Sequence, residues 1–365
     1  MATFLRLALL VLLVGACAPS HVLVRLPDSD VVTSHQTIFA ATTRALGETG
    51  FTGQRSEKVR FGRFEVSIPP DREPGTIQWP RHGRDPDPAR DFLTAEAEIY
   101  RDRAGFRADI SRALAAEDNL AVVYVHGFNN TFAKGIYRVA QLAHDLQLPG
   151  VEVHYSWPSM GNPLGYAYDG DSALFARDGL EALLDELAAA GAERIFLIGH
   201  SMGGLLTMET LRQMAIGDSA TWRHLAGTVL ISPDIDVELF HTQARRIGHL
   251  PQPFVIFTSQ RDRALQLSAR LTGQRDRLGN LADIDEVADL EVTVMEVGAF
   301  SHGLGHFTAG TSPEVISLLD QFGAISAAFG RDAGQVGLLP GTIITVRSAT
   351  QIILSPVSAL TDATQ

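Results

Sequence analysis

Short apolar runs recur along the second two thirds of the chain, at Leu120–Val125, Val151–Tyr155, Arg194–Ile198, Thr228–Ile231, Phe254–Phe257 and Leu290–Val297. Most are almost continuously apolar, the pattern of parallel strands covered on both faces. Helical patterns lie between them. Phe132, Ile136, Val139, Leu142 and Leu146 fall on one stripe, and Leu180, Leu183, Leu184 and Leu187 on another that Gly191 stops. Leu205, Met208 and Leu211 continue the alternation, and Ser312-Pro313 offers an N-cap and first-turn proline for a helix over 313–328. Strand alternating with helix predicts an α/β fold: a mostly parallel central sheet with helices on both faces.

Before residue 119 the pattern is mixed. Strand-like runs appear at Thr37–Ala41 and Arg63–Ile68, whereas Pro69–Pro88 is too rich in proline, glycine and charge for a regular element. The domain expected is 31–335, with N-terminal strands and loops over 31–118 and the core over 119–335. The tail 336–365 carries β-branched stretches such as Thr342–Val346 but no motif.

Arg194-Ile-Phe-Leu-Ile-Gly-His-Ser-Met-Gly-Gly204 joins a buried strand to a helix through Gly199-His200-Ser201-Met202-Gly203. This is G-x-S-x-G, a nucleophile elbow, which holds the serine on a sharp strained turn between glycines. A serine hydroxyl needs a base and donors for the oxyanion it creates. One donor is the amide after the nucleophile, Met202. The other is expected from the loop after an earlier strand, where Val125-His126-Gly127-Phe128 makes Phe128 the candidate and Gly127 the residue that lets the backbone turn. The remaining partners should follow in the order acid, then histidine. Asp262 lies just beyond the run 254–257, with Asp234 one strand earlier as the rival. After the last run come His302 and His306, and position alone slightly favours His302. Trp157 and Tyr166 follow the second core strand and are candidates for lining a pocket. About twenty residues separate the fourth and fifth runs, room for a small cap or none.

Several segments together resemble a bacterial family of α/β-hydrolases, esterase- or lipase-like and often lipoproteins. They are Ile38-Phe-Ala-Ala-Thr-Thr-Arg44, Phe64-Glu-Val-Ser-Ile-Pro69, Val125-His-Gly-Phe-Asn-Asn130, Tyr155-Ser-Trp-Pro-Ser159, Gly199-His-Ser-Met-Gly203, Ser232-Pro-Asp-Ile-Asp236 and Leu304-Gly-His306. The resemblance implies an α/β-hydrolase fold and a serine hydrolase that cleaves a carboxylic ester or related acyl bond through a Ser-His-Asp triad. It places the histidine at His306 and supports Asp262 through the run Ser259 to Leu265. Thioesterase, peptidase or acyltransferase chemistry on the same triad is the alternative, as is a non-catalytic binding lipoprotein of the cell envelope.

Residues 1–17 have the layout of a lipoprotein-type signal peptide: Arg6, an apolar run Leu7 to Val14, and Val14-Gly15-Ala16-Cys17, which resembles a bacterial lipobox. Cys17 would become the lipidated first residue and 18–30 a tether, anchoring the protein to a membrane. Ala18, not aspartate, follows, which in such lipoproteins points to the outer membrane. An ordinary secretory cut at Ala16-x-Ala18, giving a soluble secreted or periplasmic protein, is the alternative. Cys17 is the sole cysteine, which excludes internal disulfides and thiolate metal clusters. The net charge of -12 repels phosphate backbones, so nucleic acid is not an expected partner; the partner that the resemblance implies is a small acyl substrate. The chain carries no phosphate loop, H-E-x-x-H or dinucleotide fingerprint, so no cofactor or metal is expected.

Overall fold

The computed structural model describes residues 22–81, 83–273, 277–281, 284–287, 289–300, 306–313, 342–348 and 351–356. Its strands are β1 (Ser34–Gly47), β2 (Gly50–Ile68), β3 (Leu93–Ile99), β4 (Leu120–Val125), β5 (Val151–Ser156), β6 (Arg194–His200), β7 (Leu225–Ile231), β8 (Phe254–Thr258), β9 (Thr293–Glu296), β10 (Thr342–Ser348) and β11 (Gln351–Pro356). They make one sheet in the order β11-β10-β9-β8-β7-β6-β4-β5-β1-β2-β3. From β1 through β10 the neighbours are parallel, while β2, β3 and β11 are antiparallel additions at the two edges. The principal helices are α1 (Arg103–Ala116), α2 (Phe132–Leu146), α3 (Tyr166–Phe175), α4 (Arg177–Ala189), α5 (Met202–Ile216), α6 (Val237–Ile247) and α7 (Arg263–Thr272).

The continuous apolar runs are explained by cover on both faces. In β4, Ala121, Val123 and Val125 enter one core cluster with side chains of α1, α4 and α5. Their alternates Leu120, Val122 and Tyr124 enter the other with Ile136, Tyr137 and Leu142 of α2. Strand periodicity of two therefore divides each run between two cores. Strand β4 lies between β5 and β6, so the chain winds away from it in opposite directions. At such a reversal the loops beyond adjacent strand ends diverge and leave a crevice, and here those are the loops after β4 and β6.

All six expected core runs are strands, but the last is shorter than its apolar stretch. Leu290 and Val292 donate backbone N–H bonds to Val287 and Leu290 oxygens, so the chain is still turning before Thr293. Strands β1 and β2 extend far past the runs that announced them. Only the middle of β1 is buried, and a ladder outside helical cover needs no apolar pattern. The expected tether is partly docked: Thr94 N–H donates to Val24 O, and Leu26 N–H donates to Thr94 O. Residues 342–348 and 351–356 of the tail extend the sheet. The expected helix over 313–328 and the signal segment with Cys17 lie outside the described residues. Between β7 and β8 the insertion is the single helix α6.

Candidate active site

Strand β6 delivers Ser201 into a backbone conformation of φ 54° and ψ -122°, after which α5 begins at once. Positive φ costs a residue with a β-carbon about 1–3 kcal/mol and persists only where surroundings impose it. Here Ser201 N–H donates to Ile231 O at 2.9 Å, and Ser201 O accepts from Gly204 N–H at 2.9 Å and Asp234 N–H at 3.2 Å. The glycines are needed for clearance. A β-carbon on Gly203 would drive into the carbonyl oxygens of Val125 and His126, and one on Gly199 would lie 2.9 Å from Gly204 Cα. Because those obstacles are backbone, Gly203→Ala should cost at least about 1–3 kcal/mol and push the elbow off the β4 loop. Thermal unfolding and turnover measured together should both fall; full activity at unchanged Tm would contradict the clearance argument.

Asp262 is completely buried and caps α7. Its Oδ1 accepts the Ala264 and Leu265 N–H groups, both at 3.0 Å. Its Oδ2 accepts from His306 Nδ1 at 2.8 Å. One carboxylate oxygen thus fixes the side chain and the other fixes the imidazole. His306 rests against the residue before the serine: its ring centroid is 4.9 Å from that of His200, and its carbonyl is 3.4 Å from His200 Nε2. Burial, then the neighbouring His306, holds the His200 pKa well below the ordinary histidine value, so His200 stays neutral. Among the described residues, no hydrogen bond joins Ser201 Oγ to His306 Nε2.

The β4 loop passes directly over the elbow. A β-carbon on Gly127 would be 2.8 Å from Ser201 Cβ, so only glycine allows this approach. Phe128 follows it, and among the described residues neither the Phe128 nor the Met202 N–H meets an acceptor. The loop is held from beneath by polar groups that local sequence reasoning did not identify. Arg44, 1% exposed, bonds Ser156, Ser159, Thr52, Asn130 and His126. Asp169 accepts from Ser159 Oγ at 2.5 Å, Met160 N–H at 2.7 Å and Asn129 N–H at 3.1 Å. The available signal was an arginine closing the apolar segment 38–44. Its partners lie from eight to more than a hundred residues away, and no local pattern announces them.

The other candidates separate. Trp157 does not line an open pocket: it is fully buried, stacks on His126 at 4.7 Å and donates its indole N–H to His126 O at 2.6 Å. Tyr166 is only part-buried and sits edge-on to Phe128 at 5.4 Å. Its hydroxyl donates to Asp234 Oδ2 at 2.9 Å, and burial beside that carboxylate raises its pKa to about 12. Asp234 is engaged with Tyr166, Ser268 Oγ at 2.7 Å and Arg277 Nε at 3.3 Å, so the acid bonded to the histidine is Asp262. His302 lies outside the described residues.

A parallel sheet with a serine on a positive-φ elbow at its central crevice is the architecture of an α/β hydrolase. Residues 102–321, more than half of the chain, match the family described as alpha/beta hydrolase of unknown function (DUF900). The protein belongs to that family. No curated protein matches it in sequence. Among solved structures it is similar to a Rhizomucor miehei esterase at 11% identity, covering 82% of this chain and 87% of that one with a TM-score of 0.36. A Pyrococcus furiosus esterase gives 13%, 84%, 98% and 0.34. Lipase B of Aspergillus fumigatus gives 13%, 60%, 56% and 0.37. At these scores the family match, not the structural likenesses, carries the assignment.

Proposed function

We propose that the protein is a serine hydrolase of carboxylic esters. The observation that carries the reading is the 2.8 Å bond from His306 Nδ1 to buried Asp262, with the His306 ring packed on His200, the residue before a serine held on an elbow. Ser201 Oγ attacks the acyl carbonyl while His306 Nε2 takes its proton. The Phe128 and Met202 N–H groups receive the oxyanion, with the α5 dipole assisting. Collapse of the tetrahedral intermediate expels the alcohol, which His306 protonates. Water, deprotonated by His306, then releases the acid and regenerates Ser201. Asp262 holds the tautomer with the proton on Nδ1 and so leaves Nε2 free to act as base.

Labelling with a fluorophosphonate probe, followed by peptide mapping, tests the reading. Modification at Ser201 is expected; an inert protein would favour a binding role instead. A chromogenic panel of ester, thioester and amide substrates then separates the related chemistries. Asp262→Asn should lower turnover on the order of 10²–10⁴-fold, because an amide N–H facing Nδ1 favours the wrong tautomer. Asparagine still caps a helix, so Tm should change little. Retention of turnover would leave Asp262 as a cap alone.

We also read Cys17 as a lipid anchor placing the enzyme at the envelope, on the periplasmic side of the outer membrane. Mass spectrometry of the mature N-terminus tests this, since an unmodified chain lacking residue 17 would exclude an anchor there.

A further inference from the structure

Arg44 is a buried cation, and among the described residues no carboxylate lies directly against its guanidinium, an arrangement that is expensive unless every donor is satisfied. A guanidinium has five N–H donors and no acceptor, and all five are placed here. Nε–H donates to Ser156 Oγ at 2.9 Å. Nη1 donates to Ser159 O at 2.8 Å and Thr52 O at 3.2 Å. Nη2 donates to Asn130 O at 2.8 Å and faces His126 Nε2 at 3.3 Å. Burial lowers the Arg44 pKa to about 9, partly offset by Asp169. Burial also holds His126 well below its ordinary value, with the Arg44 charge acting the same way. His126 is therefore neutral and carries one ring proton.

The position of that proton has a consequence for the loop above Ser201. Arg44 can only donate, so the nitrogen facing it, Nε2, must be the bare one, and the proton sits on Nδ1. Nδ1 lies 2.8 Å from Gly127 O, where Nδ1–H donates. Asn130 Nδ2 donates to the same oxygen at 3.1 Å. Trp157 O, 3.0 Å from Nε2, is the one contact this tautomer leaves unmatched; the other tautomer would turn an N–H toward Arg44 and set a bare Nδ1 against Gly127 O, leaving that oxygen the Asn130 bond alone. Gly127 C=O and Phe128 N–H belong to the same trans peptide and point in opposite directions. Pinning the carbonyl down therefore turns the amide up.

We propose that Arg44 and His126 are positioning residues, a relay in which Arg44 sets the His126 tautomer and His126 holds Gly127 O, so that Phe128 N–H faces the oxyanion formed at Ser201. The inference rests on the serine-hydrolase reading. It adds that the loop donor is preorganised by a charge from a strand outside the core set, β1, and that neither residue touches substrate.

Two measurements test the relay. In the wild-type protein labelled with ¹⁵N-histidine, His126 should show a protonated Nδ1 and a bare Nε2; a protonated Nε2 overturns the proposal without any variant having to fold. In kinetics, His126→Leu should lower kcat about 10²–10³-fold, the cost of losing one oxyanion donor, with KM within a few-fold. The affinity for a boronic acid transition-state analogue should fall in parallel with kcat/KM. His126→Asn keeps a donor for Gly127 O and should recover most of kcat, whereas a merely structural defect would track Tm instead. Arg44→Lys should behave like His126→Leu, because one ammonium cannot span the acceptors. Wild-type labelling at Ser201 together with unchanged kcat in folded His126→Leu and Arg44→Lys would sink the relay and leave the hydrolase reading intact. Wild-type protein that never labels would fail the hydrolase reading itself.

Discussion

Ser201→Ala is expected to remove about 10⁴–10⁶ of the turnover of whatever acyl substrate is used. The hydroxyl is the only part of the proposed machinery that forms a covalent bond, and no neighbouring group substitutes for it. The fold should not notice. The residue is held by main-chain bonds to Ile231, Gly204 and Asp234, and alanine makes all of them. It also carries the same β-carbon, so the strain of φ 54° is neither relieved nor increased. Tm should therefore stay within a degree or two of wild type while fluorophosphonate labelling disappears. Loss of less than ten-fold would mean that the elbow holds the serine for another purpose.

The second large effect is on stability in mild acid. His126, His154 and His200 are all buried, with pKa values lowered by desolvation, to about 3 for His154. His154 Nε2 has no partner among the described residues, and the ring lies against Gly135 in α2, where even a β-carbon would not fit. In the unfolded chain each histidine takes a proton near pH 6.5. Below that pH the unfolded state binds more protons, and each group withdraws about 1.4 kcal/mol of stability per pH unit. Glu152 acts in the opposite sense. Burial and Glu117 raise its pKa to about 7, so it destabilises the fold above the unfolded glutamate value and ceases to as pH falls. Raised Asp169 adds to Glu152 and lowered His144 to the histidines. The lowered histidines outnumber the raised carboxylates, so the unfolded chain gains more protons than the folded one as pH falls below about 6.5 and stability is lost. The urea midpoint should fall steeply below that pH, and His154→Asn should make the slope shallower by about 1.4 kcal/mol per unit. A midpoint that is flat from pH 7 to pH 5 would show that the three rings are not the buried neutral groups described.

The parts legible in the sequence are those written by short-range rules. Strands β4 to β9 were readable because a strand buried on both faces is apolar at nearly every position. The elbow was readable because a serine at φ 54° between a strand and a helix requires glycines two residues to either side. Asp262 was readable as the first acid after β8. Trp157 and Tyr166 show where such reading stops. Both are aromatics after the same strand, yet one is sealed against His126 and the other is only part-buried, edge-on to Phe128. Nothing in their local sequence distinguishes them, since burial is decided by what the rest of the chain places above each ring.

By itself the sequence determined the alternation of elements, the serine on its turn, and the order of acid and base along the chain, because each follows from periodicity or from the stereochemistry of a few adjacent residues. Only the tertiary structure decided which acid meets the histidine, as Asp234 is taken by Tyr166, Ser268 and Arg277 while Asp262 faces His306. It likewise decided that Arg44 lies beneath the β4 loop. A guanidinium finds its five acceptors only when segments from residue 52 to residue 159 converge, and that convergence is a product of sheet order rather than of any local pattern.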